Sequence, residues 1–207
     1  MLSLVRAAVS RQLAHPAGPA GRIVAALMNR GNRGLNQRAI ERLELAADSR
    51  VLDLGFGGGV TLPTLLARAA HVVAIDRAPE MVAAARRRHP DAVAGGRLDL
   101  RTGQVDPLPL ADGAVDRILT VNTVYFWPDL PAALAELRRV LAPGGRLVIG
   151  IRDGPVMDQV DRALFTVRPP AELAAALREA GFARVAVDSA ADGSSHLLVA
   201  DLPQPPT

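Results

Sequence analysis

Val51-Leu52-Asp53-Leu54-Gly55-Phe56-Gly57-Gly58-Gly59 is the stretch on which the fold turns. An apolar strand ends in a glycine-rich turn, and a helical pattern opens just beyond it, near residues 60 to 70. Glycine suits such a place because it lets the backbone turn tightly and lets a ligand approach without meeting a Cβ. Alone the motif is ambiguous. Dinucleotide dehydrogenases use a related G-x-G-x-x-G, and a βα turn can be glycine-rich for structural reasons alone.

The next strand, VVAIDRAP, ends at Asp76, 23 residues after Asp53. A carboxylate there can accept hydrogen bonds from both hydroxyls of a ribose, as in nucleotide-binding βαβ units. It can also simply cap the helix predicted over 79–89.

Outward from this pair the chain alternates. Strands are predicted at RVLDLGF (50–56), HVVAID (71–76), RLDLRTG (97–103), AVDRILTVN (114–122) and GRLVIGIR (145–152), with helices near 60–70 and over 79–89 and 129–141. Repeated βα units imply a mostly parallel, doubly wound α/β sheet. Continuous apolar runs such as Val72-Val73-Ala74-Ile75 fit strands covered on both faces. A helix at 170–180 then leads into two strand-like runs joined by the polar turn Ala191-Asp192-Gly193-Ser194, an antiparallel hairpin that closes the sheet.

The front of the chain reads differently. Helical spacing over residues 2–14 gives way to the breaker HPAGPAG. Further apolar helical faces follow at Ile23 to Met28 and at Leu35, Ala39, Ile40 and Leu43. The expectation is a helical arm over residues 1–46 and a single α/β domain over 47–203.

A length of 207 residues suits one such domain. Hydrophobic residues at 49% and charged residues at 22% describe a globular chain. All 24 basic residues are arginine, so the pI of 10.7 overstates a net charge of only +3. The run Arg86-Arg87-Arg88 reads as a solvated helix face, and no nucleic-acid partner is expected. Without cysteine there is neither a disulfide framework nor a thiolate metal site, and the four histidines have no ligand spacing. No stretch is long enough to span a bilayer, and the first residues lack a secretory pattern. The chain is therefore expected in the cytoplasm, without metal or membrane.

These residues resemble the class I S-adenosylmethionine-dependent methyltransferases, and within them the small-molecule branch similar to the ubiquinone and menaquinone biosynthesis enzymes. The resemblance runs from about residue 35 to 200. The family's acidic-x-G-x-G-x-G loop falls on Asp53, Gly55, Gly57 and Gly59, and its acidic ribose ligand on Asp76. Gly103-Gln104-Val105-Asp106-Pro107 matches the segment that holds the adenine, with Gln104 where the family usually has Asp. An amide carbonyl can accept from the adenine amino group, without charge assistance. Arg138 to Ile149 matches the family's helix end, Pro-Gly-Gly turn and fifth strand, where glycine is expected to end the helix.

The resemblance implies S-adenosyl-L-methionine as cofactor and a Rossmann-like, seven-stranded sheet with an N-terminal helical lid. It carries Phe56, Arg77, Met81, Val105 and Asn122 to the cofactor site as well. The carboxyl edge after strand four, Asn122 to Trp127, is where an acceptor is expected, because ligands of open α/β sheets bind there. Tyr125 is the catalytic candidate, and Tyr125, Trp127 and Met28 the acceptor contacts; half-buried packing is the alternative for the two aromatics, and the pocket is the preferred reading because the chain's one Tyr and one Trp both stand in this loop. Nucleic-acid amino-methyltransferases carry Asn/Asp-Pro-Pro-Tyr/Phe at this edge, but Thr123 and Val124 replace both prolines here. Only about 18 residues separate strand five from the last helix, which points to a small acceptor. A monomer or homodimer is expected. Two rival readings share part of the pattern: a nicotinamide-dependent oxidoreductase, and a cofactor-binding module without turnover.

Overall fold

The computed structural model describes residues 32–153, 157 and 164–204. The helices expected before residue 32, the HPAGPAG breaker between them and Met28 lie outside the described residues. The alternation expected from the sequence is present: α1 (Arg33–Arg42), β1 (Arg50–Leu54), α2 (Leu62–Arg68), β2 (His71–Asp76), α3 (Pro79–Arg88), a short α4 (Pro90–Ala94) and β3 (Leu98–Thr102). There follow β4 (Val115–Val121), a single 3-10 turn (Val124–Phe126), α5 (Leu130–Val140), β5 (Leu141–Arg152), α6 (Pro170–Glu179), β6 (Ala183–Ser189) and β7 (Ser195–Asp201).

The seven strands form one sheet in the order β3-β2-β1-β4-β5-β7-β6. Every pairing from β3 to β5 is parallel, while β7 runs antiparallel to both β5 and β6. Alternate residues of the inner strands β2, β1, β4, β5 and β7 enter two cores. Val51 packs with α1, α2 and α3 on one face, and Leu52 and Leu54 pack with α5 and α6 on the other. Burial on both faces is why these strands read as unbroken apolar runs. Among the described residues, no helix is long and apolar enough to cross a membrane.

One boundary departs from the sequence reading. Helix α5 ends at Val140; Leu141 behind it is already extended (φ −81, ψ 129), and β5 begins there rather than at Gly145. The Pro143-Gly144-Gly145 turn is a break in register within the strand: Val115 pairs with Leu141, then Arg117 with Arg146. Glycine is required for this bulge and not for the helix end. Gly144 has φ +74, and a Cβ on Gly145 would lie 2.7 Å from the Ala142 carbonyl oxygen.

Candidate functional site

The parallel strands all end at one edge, where the glycine turn leaves β1. Gly55, Gly57 and Gly59 have φ values of +71, +50 and +72, the left-handed region that side chains resist. Their surroundings differ. A Cβ on Gly55 would run into the Thr123 methyl, whereas one on Gly57 would have nothing within 4 Å. Gly55 is thus glycine because β4's exit packs on it, and Gly57 borders open space.

Asp76, 7% exposed, ends β2 beside this turn. One carboxylate oxygen accepts from the Gly57 N–H at 2.7 Å and the other from the Ala78 N–H at 2.9 Å. The N-cap position of α3 is Ala78, so Asp76 is not the cap residue that the plainer sequence reading allowed. It ties the glycine turn to the entry of α3. Asp53 lies deeper, 3% exposed, accepting the Thr61 hydroxyl. Burial is the main reason its carboxyl is pushed up to about 7; the Thr61 bond works against this and the Asp76 charge with it.

The other expected cofactor residues surround the same edge. Phe56 and Val105 are buried, Met81 is half-buried against the α3 core, and Gln104 is exposed. The segment entering Gln104 is fixed where the Gly103 N–H donates to the Asp76 carbonyl at 3.0 Å. Asn122 takes φ +59, in a conformation Asn tolerates better than most residues, and its N–H donates to the Gly150 carbonyl. Arg77 is half-buried, with its guanidinium carbon 4.5 Å from the Phe126 ring centroid.

Beyond β4 the 3-10 turn presents its aromatic residues unequally. Tyr125 and Trp127 are each 4% exposed, and Phe126 is half-buried. The Tyr125 hydroxyl accepts from the Arg152 N–H at 2.6 Å and donates to the Arg152 carbonyl at 2.9 Å, with Asn122 Oδ1 3.5 Å away. Burial, more than any other cause, pushes this phenol well above its ordinary value. The hydroxyl is therefore built into the end of β5.

Three features here left little trace in the sequence. Thr61 seals Asp53 from the start of α2, and only its place after the glycine turn hints at that. Thr123 packs on Gly55 from 68 residues away. His196, one of the four histidines without ligand spacing, joins Asp153 through Nε2 at 3.2 Å and Ser189 through Nδ1 at 2.8 Å, at the same sheet edge. That cluster forms only because β7 returns beside β5, pairing His196 with Ile151. Among the described residues, no group of three acidic or histidine side chains could hold a metal ion.

A model of the methyltransferase domain matches residues 52–149, from β1 through most of β5. An uncharacterized methyltransferase of Bacillus subtilis is 32% identical over 126 residues, covering 59% of this chain and 67% of that protein. The demethylmenaquinone methyltransferase of Thermus thermophilus is 43% identical over 117 residues, 55% of this chain and 51% of the relative. A crystal structure of an S-adenosylmethionine-dependent methyltransferase from Aquifex aeolicus superposes with a TM-score of 0.70 at 23% identity, over 86% of this chain and 96% of that one. This last likeness speaks for the fold alone. The chain spans from about a quarter to about half the length of the first curated relatives it matches. The matched segment carries the glycine turn, the acidic end of β2 and the β4 exit in register with one another, and the chain belongs to the class I S-adenosylmethionine-dependent methyltransferases.

Proposed function

We propose that the chain transfers a methyl group from S-adenosylmethionine to a small-molecule acceptor held at the carboxyl edge beside the 124–126 turn. The observation that carries this reading is the open space in front of Gly57, bordered by the buried Asp76 carboxylate. A Cβ-free cradle next to a carboxylate with lone pairs to spare suits a ribose diol above a closely approaching chain. Asp53, Gly55, Phe56, Gly57 and Gly59 would form its floor, Asp76, Arg77 and Met81 one wall, Gln104 and Val105 the adenine end, and Asn122 the end nearest the acceptor. When bound there, the cofactor supplies a methyl group already activated by the positive sulfur.

What remains for the protein is alignment and exclusion of water. Tyr125, with its hydroxyl committed to Arg152, is proposed to position the turn rather than to take a proton. Buried Trp127 anchors the same turn, which leaves Phe126 as the ring that meets the acceptor. A base is needed only where the acceptor atom arrives protonated.

Residues 1–46 are proposed as the covering arm and 47–203 as the transferase domain. Asn32 supports this, because its side-chain oxygen accepts from Arg152 Nε at 2.7 Å and so starts α1 at the acceptor edge. The demethylmenaquinone and trans-aconitate methyltransferases among the relatives agree with a small acceptor. A cytoplasmic monomer or homodimer completes the proposal.

Calorimetric titration with S-adenosylmethionine, its demethylated product and NAD(P)H tests it. Micromolar binding of the first two alone supports the reading and sets up a screen with labelled methyl. Binding of NAD(P)H instead, or of none of them, overturns it.

A further inference from the structure

Residues 55, 57, 58 and 59 of the turn after β1 are all glycine, so little in the turn itself decides which way its peptides face. The peptide between Gly58 and Gly59 is the least restrained of them. It joins two residues without a Cβ, and both signs of φ are open to each. In the structure its plane is held from both sides. The Gly59 N–H donates to the Phe56 carbonyl at 2.8 Å, and the Gly58 carbonyl accepts from Arg88 Nη1 at 2.6 Å. Turning the plane over breaks both bonds at once.

Arg88 is the last residue of α3 and the last of the run Arg86-Arg87-Arg88. All three side chains are exposed, as a solvated face requires, yet two of them are bonded to backbone carbonyls. Arg86 donates to the Leu100 carbonyl of β3 at 3.2 Å, and Arg88 donates to the turn after β1. Side chains on a helix lean toward its N-terminus, which directs Arg88 back toward the strand ends. A Cβ placed on Gly59 would stand 3.7 Å from Arg88 Nη1, so the guanidinium lies against the turn. The opposite end of the same β2–α3 unit grips the neighbouring residue, because Asp76 accepts from the Gly57 N–H at 2.7 Å. Consecutive residues of the turn are thus held by an anion before α3 and a cation at its end.

We propose that Arg88 is a positioning residue for the cofactor: by latching the Gly58 carbonyl, it keeps the glycine turn in the conformation that S-adenosylmethionine binds. The latch rests on the cofactor assignment made above. The peptide it fixes directly follows Gly57, in front of which the space for the cofactor opens. If that peptide is free to turn over, only a fraction of the chains is ready to bind, and the apparent affinity falls by that fraction. A charged donor on a long side chain is what the carbonyl requires, and lysine supplies one as well.

The test is calorimetric titration of S-adenosylhomocysteine into the full chain, with thermal melts to show that each variant is folded. Arg88→Ala should weaken binding about fivefold, the net worth of one hydrogen bond. Exchange of the Gly59 amide should quicken in that variant, while the Gly55 amide, bonded to the Ile75 carbonyl, keeps its rate. Arg88→Lys should recover most of the affinity. Arg87→Ala removes the same charge one residue away, and Arg86→Ala removes a bond to β3 instead. Both should bind within about twofold of wild type, a separation that a general effect of charge or of helix stability would not produce. Wild-type affinity in Arg88→Ala, or an equal loss in Arg87→Ala, overturns the latch while leaving the cofactor assignment standing. Failure of the unaltered chain to bind S-adenosylhomocysteine overturns the assignment itself, and the latch with it.

Discussion

Asp53 faces the α2 side of the sheet, where its carboxyl is raised from 3.8 to about 7, chiefly by burial. The fold therefore holds this proton more tightly than the unfolded chain does. The stabilisation that follows is fully present below the unfolded value and is lost as pH rises through about 7. Asparagine has nearly the same shape and stays neutral throughout. The melting temperature of Asp53→Asn, taken relative to wild type, should rise between about pH 5 and about pH 8; a constant difference would place the titration of Asp53 elsewhere. Gly55 and Gly57 separate fold from ligand in a similar way. Gly55→Ala meets the Thr123 methyl as well as a left-handed backbone, and should cost more than about 2 kcal/mol of stability. Gly57→Ala meets only the backbone penalty, ~1–2 kcal/mol, yet puts a methyl into the space proposed for the cofactor. Melts and calorimetry on the two variants should give opposite rankings, with Gly55→Ala the less stable and, of the two that fold, Gly57→Ala the weaker binder.

At the scale of elements, α5 shows what its sequence reveals and what it hides. Asp129 caps the helix by accepting the Ala132 N–H at 2.9 Å, and Leu130, Leu134 and Leu137 recur at helical spacing into the core. Both signals are local and were legible. Asp129→Ala should lower stability by about 1 kcal/mol in chemical denaturation. Arg139 was legible only as a charge near the helix end. In the fold it ties Glu136 and Asp112 to the Leu108 and Leu110 carbonyls, and Glu136 in turn accepts the Leu108 N–H. Arg139→Met should speed hydrogen exchange at Leu108 while leaving β1 unchanged. The glycines at 144 and 145 were visible as a turn, but a bulge and a helix stop look alike in one sequence. Only pairing with β4 decides between them. The Gly-rich turn and Asp76 could likewise be read directly, because their chemistry lies within one βαβ unit. The roles of Tyr125, Thr123 and His196 could not, since each depends on a partner brought up by a different strand.

For the molecule as a whole, the strand order ranks the stability of its parts. β1 and β4 sit in the middle of the sheet, flanked by strands on both sides and covered by helices on both faces. Their amides can open only when the sheet comes apart, so they should exchange with solvent at the rate of global unfolding. The two edges are exposed in different ways. β3 pairs with β2 alone, but packs against α3 and α4 and buries Leu98 and Leu100. β6 pairs with β7 alone, has no fully buried residue, and exposes Val187 at 42%. Its hold on the rest comes from α6 and from Asp188, which pairs with Arg38 and Arg42 of α1. Exposed ion pairs of this kind contribute at most about 1 kcal/mol. β6 should therefore open before β3, and β3 before the centre. Native-state hydrogen exchange in low denaturant should resolve three groups of amides in that order. Equal protection of β6 and β1 would mean that the hairpin is as integral to the domain as the parallel strands, and that the edge at which His196 and Asp153 meet is as rigid as the glycine turn.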